Sequence, residues 1–434
     1  MSSPNNLIIN KSKPLIGNLK IPGDKSISHR SIILGALSNG ELTISNFLTS
    51  DDCNATINAM RQLGADISVK DNKVHIKGKG LFSLKKPKHI INAGNSGTLI
   101  RLLTGVLAVQ DFDSTITGDE SLKKRPMGRI IKPLKFCGAK IEAHECKAPL
   151  SIYGSSSLNS IEYNQDVASA QVKSCLILSA LHISGQSTFY EQIQTRDHTE
   201  NLLEYLSYKI DRDSNSLSLK GRQKLIAKDI LIGSDISSAA FFIVAGLIVD
   251  GSFIEMRSVN INKFRTGIVT VLREMGADIE ISDQKKVSNE LIGNIKIRHS
   301  KLKCTDIKGE IIPSLIDELP ILFIACAAAA GTSKISGIEE LRYKESDRIM
   351  AMENGLRAIG INVHSSKDSI EITGGKITGG KVNSYDDHRI AMSFAIAGLI
   401  SHHSLTIMNT ENISTSFPTF VTILRELGVE IFEV

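Results

Sequence analysis

Six short polar loops run directly into strongly apolar stretches, at residues 23–30, 94–101, 168–173, 233–239, 316–320 and 385–389. Basic side chains stand just inside several of them: Lys25, Arg30, Arg101, Lys173 and Arg389. The N-terminus of a helix presents free N–H groups and partial positive charge, so it suits anions. A Ser or Asp at one such start needs no role beyond capping. Several starts in step, with cations just inside, point to a shared anion-binding site.

Other constellations add to this. Lys123-Lys124-Arg125-Pro126-Met127-Gly128-Arg129 is a basic run in which Pro126 fixes the chain just after Arg125, and a pinned guanidinium can grip carboxylate or phosphate with two bonds. Arg342 to Arg348 packs charge at helical spacing. It reads either as a salt-bridged surface helix or, with Lys344 and Arg348 on one face and Glu345 beside them, as a phosphate clamp with an acid/base neighbour. The loop Gly94-Asn95-Ser96-Gly97-Thr98 lacks both the Lys-Ser/Thr of a P-loop and a dinucleotide fingerprint. Arg196-Asp197-His198 and Asp386-Asp387-His388-Arg389 lack metal-ligand spacing, so no metal is expected. The six cysteines, 53, 137, 146, 175, 304 and 326, contain no CxxC pair and read as buried thiols.

The elements that must hold these groups form a repeat. A helical period ending in Leu-x-x-x-Gly-x-x-Ile/Val or a close variant recurs with Gly64, Gly138, Gly276, Gly360 and Gly428, and once without its glycine, at Ser207. Successive copies lie 74, 69, 69, 84 and 68 residues apart. The glycine suits a left-handed helix end, and the branched residue after it opens a strand. Each copy also contains one of the six loops and its apolar helix: residues 32–37, 102–109, 172–181, 239–247, 321–330 and 391–400. Helices apolar on all sides are interior helices. Six α/β modules with buried helices are therefore expected.

Composition bounds the function. The 434 residues suit two or three domains. The net charge of +5 and an aromatic content of 5%, without Trp, argue against a nucleic-acid partner, although a non-catalytic phosphate- or RNA-end-binding protein remains a rival built from the same modules. The apolar runs 239–249 and 321–330 are far shorter than the ~20 residues of a membrane span. The first residues are polar and start no secretory signal, so a cytoplasmic protein is expected.

Taken together and in order, the motifs resemble the 5-enolpyruvylshikimate 3-phosphate synthase family over nearly the whole chain. The matching segments are Pro22 to Arg30, Asn95 to Thr98, Arg125 to Gly128, Ser169-Ala170-Gln171, Arg196-Asp197-His198, Lys344 to Arg348, and Asp387 to Ser393. The resemblance implies an α/β fold of two inside-out barrel domains, each of three βαβαββ units. The first domain would span residues 21–234. The second would hold residues 1–20 and 235–434, with the active site in the cleft between them. It implies transfer of the enolpyruvyl group of phosphoenolpyruvate to shikimate 3-phosphate, with loss of phosphate, without cofactor or metal, by a monomer acting on small molecules in aromatic amino acid biosynthesis. Lys25, Asn95, Gly97, Arg125, Gln171, Arg348, Asp387 and Arg389 would bind phosphoenolpyruvate. Lys25, Ser26, Arg30, Ser169, Ala170, Gln171, Arg196, Asp317 and Lys344 would bind shikimate 3-phosphate. Lys25, Asp317 and Glu345 would be catalytic, Lys25 carrying a proton, Asp317 facing the attacked hydroxyl and Glu345 protonating the methylene carbon. Gly97 leaves room beside phosphoenolpyruvate, which implies ordinary or intermediate sensitivity to the mimic glyphosate. The rival of the same fold, the transferase acting on UDP-N-acetylglucosamine, would carry a reactive Cys in a loop where this chain, between Gly94 and Phe136, has none.

Overall fold

The computed structural model describes residues 6–70, 73–155, 157–165 and 167–434. The chain divides into two compact units. The first holds Gly23–Gly233 together with Lys286–Glu290; the second holds the chain up to Pro22, then Ser234–Lys285 and Leu291–Val434. Each unit has its own hydrophobic core.

In the first unit the helices are α1 (Lys25–Leu37), α2 (Asp51–Gln62), α3 (Gly97–Leu107), α4 (Glu120–Lys124), α5 (Gly128–Phe136), α6 (Ala170–Ala180) and α7 (His198–Tyr205). In the second they are α8 (Ile236–Ile248), α9 (Gly267–Glu274), α10 (Leu319–Ala328), α11 (Arg348–Ala358), α12 (His388–Gly398) and α13 (Phe420–Glu426). The six helices expected to be interior are α1, α3, α6, α8, α10 and α12, and nearly every residue in each is buried. In the first unit α3 and α6 pack without room for a side chain at one crossing. A Cβ on Gly105 of α3 would lie 2.2 Å from the Cys175 carbonyl oxygen of α6.

The sheets cover these helices. Among the described residues there are six, each of four strands, with one parallel pair at an edge. Lys73–Lys79 shows the alternation: Val74 and Ile76 are buried, while Lys73, His75, Lys77 and Lys79 face water. Helices inside and sheets outside, three repeats per unit, are the expected inside-out architecture.

The repeat has a single local mechanism. After each of α2, α5, α9, α11 and α13 a glycine takes positive φ, from 81° at Gly428 to 101° at Gly138. In the copy without glycine, Ser207 adopts the same left-handed conformation, at φ 67°. In four copies an arginine of the last helical turn reaches over this corner to the carbonyl that starts the strand: Arg61 to Ile67 (3.0 Å), Arg273 to Ile279 (2.8 Å), Arg357 to Val363 (3.1 Å) and Arg425 to Ile431 (3.5 Å). Among the described residues, no helix is long and apolar enough to cross a membrane.

Candidate active site

In the first unit, side chains link the starts of the three interior helices. Asp24 caps α1, accepting from the Ile27 amide at 2.8 Å, and so places Lys25 in the first turn. The Lys25 ammonium pairs with Asp52, in the first turn of α2, at 3.1 Å. Ser26 is half-buried, and its carbonyl accepts from Arg30 at 3.0 Å. Arg30 is buried and also donates to Thr199 of α7 at 2.7 Å and to Ser174 of α6 at 2.8 Å. His29 beside it stays neutral: burial holds its pKa well below the usual value, and the charges of Lys25 and Arg30 push the same way.

Ser96 caps α3 and Ser169 caps α6. Asn95 accepts from Arg125 at 2.9 Å and donates to Asp119 at 2.8 Å. Gln171 accepts from Arg101 at 2.6 Å and donates to Thr98 at 3.1 Å. Ala170 forms the first turn of α6 between Ser169 and Gln171, and Arg196 lies half-buried two residues before α7. Asn95, Gly97, Arg101, Arg125 and Gln171 thus form one cluster. Gly97 is tight within it: a Cβ there would meet Arg125 Nη1 at 2.8 Å and Arg101 Nη1 at 2.9 Å. Gly97→Ala must therefore displace guanidinium groups. At about 1 kcal/mol for a mild overpacking, the Michaelis constant of an anion held by Arg125 is expected to rise roughly fivefold. Steady-state kinetics of the variant check this; an unchanged constant would place the anion elsewhere.

Lys173 differs from the other cations at helix starts. Its ammonium is buried between Glu191 at 2.8 Å and Glu200 at 2.7 Å, and it braces the loop that carries Arg196. Its charge is spent inside the fold, so it is a strut and not part of an open anion clamp.

In the second unit the charges expected on one helical face are not on one helix. Residues 339–343 form a 3-10 turn, and α11 starts only at Arg348, where Asp347 caps it by accepting from the Met350 amide at 3.0 Å. Lys344 lies outside the helix, with Asp317 at 3.7 Å. Burial pushes its ammonium below the usual lysine value, against the pull of Asp317. Arg348 is 1% exposed and is gripped by Asp387 (2.8 and 3.2 Å) and by Glu345 (2.6 Å). Asp387 also caps α12, accepting from the Arg389 amide at 2.9 Å, and takes a bond from Ser346 at 3.1 Å. Among the described residues the guanidinium of Arg389, though largely buried, makes no ion pair. This unit can therefore offer an anion a seated cation, Arg389, and two carboxylates, Asp317 and Glu345, each shared with a basic neighbour.

Spacing did not show the supporting partners Asp52, Asp119, Ser174, Glu191, Thr199 and Glu200. They are brought in from 18 to 169 residues away, and only the fold joins them. Four of the cysteines are buried; Cys146 is half-buried and Cys304 exposed. Burial pushes the thiols of Cys175 and Cys326 up to about 12. Among the described residues, no three His, Cys, Asp or Glu side chains are grouped to hold a metal ion.

The model of the EPSP synthase (3-phosphoshikimate 1-carboxyvinyltransferase) family matches residues 9–424. A 3-phosphoshikimate 1-carboxyvinyltransferase from Vesicomyosocius okutanii subsp. Calyptogena okutanii is 46% identical over 98% of this chain and 98% of its own length. One from Legionella pneumophila is 47% identical, over 97% and 98%. A solved EPSP synthase from Acinetobacter baumannii superposes with a TM-score of 0.87 at 42% identity, covering 98% of this chain and 99% of its own. The enolpyruvyl transferase NikO from Streptomyces tendae shares the fold at 15% identity, with a TM-score of 0.81, covering 100% and 99%.

Proposed function

Because the chain belongs to the EPSP synthase family and is an enolpyruvyl transferase of the shikimate pathway, we propose that the residues assembled at its helix starts carry out this transfer. The reaction moves the enolpyruvyl group of phosphoenolpyruvate to the 5-hydroxyl of shikimate 3-phosphate and releases phosphate. Both substrates are polyanions. A chain of net charge +5 must bind them with local cations, and the observation that best supports the assignment is Arg389 at the start of α12, buried and without an ion pair among the described residues.

The proposed steps balance as addition and elimination. Asp317 takes the proton of the acceptor hydroxyl as its oxygen bonds to the central enol carbon, and Glu345 gives a proton to the methylene carbon. A tetrahedral intermediate results. Its collapse returns a proton from the methyl group to Glu345, breaks the carbon–oxygen bond to phosphate and restores the double bond. Lys25 supplies the leaving phosphate with charge and a proton. Lys25, Asn95, Gly97, Gln171, Arg125, Arg348 and Arg389 serve phosphoenolpyruvate. Ser26, Arg30, Ser169, Ala170, Gln171, Arg196 and Lys344 serve shikimate 3-phosphate, and both sets act in one reaction. Arg348 holds Glu345 at 2.6 Å, a contact that favours the carboxylate. An arriving phosphoenolpyruvate anion would take over that N–H and leave Glu345 able to carry a proton. Asp387 keeps Arg348 in place throughout. The enzyme acts as a cytoplasmic monomer.

The direct test is phosphate release from the purified protein given both substrates, with EDTA present. Release that needs both substrates and persists in EDTA is the expected result. No release from folded protein would withdraw the assignment and make UDP-N-acetylglucosamine the next acceptor to try.

A further inference from the structure

One short segment, Lys286–Glu290, is grouped with Gly23–Gly233 in the first unit. Strands Asp278–Val287 and Glu290–Arg298 form a hairpin of the second unit's sheet, yet the tip, Lys286–Glu290, belongs by its contacts to the first unit. Ser288 and Asn289 both have positive φ, 48° and 64°, as a two-residue hairpin turn requires. The tip residues are held there by side chains. Ser288 Oγ accepts from the Leu231 amide at 3.0 Å. Asn289 Nδ2 donates to the Asn201 carbonyl at 3.1 Å and to Glu204 at 3.0 Å. Glu290 Oε1 accepts from His198 Nδ1 at 2.8 Å and from Asn201 Nδ2 at 3.1 Å. Glu290 is 5% exposed and His198 1%.

All of these bonds except that of Ser288 reach α7. That helix is only eight residues long, and no side chain caps it at Asp197. Its first turn nevertheless carries three seats: His198 for Glu290, Thr199 for Arg30 and Ser174, and Glu200 for Lys173. Arg196 precedes it by two residues. A short helix without a side-chain cap depends on tertiary contacts for its register.

We propose that Glu290 is a positioning residue for shikimate 3-phosphate. It fixes His198 and Asn201, and through them the first turn of α7, so that Arg196 and the Thr199-bound Arg30 stand where the acceptor's anionic groups arrive. This rests on the assignment of Arg196 and Arg30 to that substrate. Removing the carboxylate takes this acceptor from the buried His198 ring N–H and leaves the half-buried Asn201 amide with Asp197 as its remaining acceptor at 3.1 Å, which loosens the turn and not the chemistry.

The experiment compares Glu290→Ala, Glu290→Gln, Asn289→Gly and Arg196→Gln by the Michaelis constants of both substrates, kcat, and calorimetric binding of shikimate 3-phosphate. Glu290→Ala is expected to raise the shikimate 3-phosphate constants about tenfold while the phosphoenolpyruvate constant stays within about twofold. Glu290→Gln keeps an acceptor oxygen and should recover to within about threefold of the parent. Asn289→Gly suits the turn, removes two clasp bonds and should shift the same constant in the same direction by about twofold to threefold, which keeps the proposal open to test if Glu290→Ala does not fold. Equal changes in both Michaelis constants, or no change, would overturn the positioning role. An unchanged shikimate 3-phosphate constant in Arg196→Gln would instead overturn the substrate assignment; a rise in Arg196→Gln with none in Glu290→Ala or Asn289→Gly would overturn the clasp alone.

Discussion

Lys25→Met is expected to lower kcat by about a thousandfold while the protein stays folded. Two properties of the site lead to that size. Lys25 stands in the first turn of α1, so its charge adds to the helix end proposed to receive the leaving phosphate. It is also the only group assigned to move a proton to that phosphate. The stability cost is small because Lys25 is partly exposed and Asp52, although buried, lies at the N-terminus of α2, which favours a carboxylate even without a partner. The melting temperature should therefore fall by only a few degrees, at about 1 kcal/mol or less. Lys25→Arg separates charge from proton transfer. The guanidinium keeps the charge but does not give up a proton near neutral pH, since its pKa exceeds ~12. Arg at this position should keep the phosphoenolpyruvate Michaelis constant within several-fold and leave kcat low. Near-parental kcat in Lys25→Arg would show that charge alone suffices, and near-parental kcat in Lys25→Met would remove Lys25 from the mechanism.

The contrast among the cations shows what spacing could reveal. Lys25, Lys173 and Arg389 all stand just inside an apolar helix and look alike in one dimension. Lys173 is closed off by Glu191 and Glu200, Lys25 is shared with Asp52, and Arg389 makes no ion pair among the described residues. Those differences come from residues on other elements, so no local pattern carries them. The repeat was legible because its cause is local: a left-handed corner prefers glycine, and the interior helices are apolar all round. Even so Ser207, which lacks the glycine, shows that tertiary packing can impose the same corner. The spacing of Lys344 and Arg348 pointed to one helix face, but the Asp347 cap starts α11 between them. The hairpin tip at Ser288-Asn289-Glu290 carried a turn signal and nothing that named its partner, because its contacts reach back to residues 57 to 92 positions earlier.

Arg348→Met should have the largest effect on stability. Arg348 is 1% exposed and sits between Asp387, 0% exposed, and Glu345. Burial works against its charge, but Asp387 and Glu345 outweigh that and hold the guanidinium above its usual pKa. Removing one partner of such a pair costs about 3–5 kcal/mol, because the other charge stays buried and uncompensated. For a unit of this size that is a drop of roughly 10 °C in the melting temperature of the second unit's transition. The loss belongs to the orphaned carboxylate, not to missing packing, since Met fills much of the same volume. Adding Asp387→Asn to Arg348→Met tests that attribution. Asn removes the orphaned charge and can still cap α12. The double variant should regain about half of the lost stability, a non-additivity that only coupled residues show. Additive losses would mean that the two side chains are held independently, and a melting temperature within two or three degrees of the parent's for Arg348→Met would mean that water already reaches Asp387. Activity separates the two roles of Arg348: the double variant should recover its fold without recovering turnover, since the cation proposed to hold phosphoenolpyruvate is still missing.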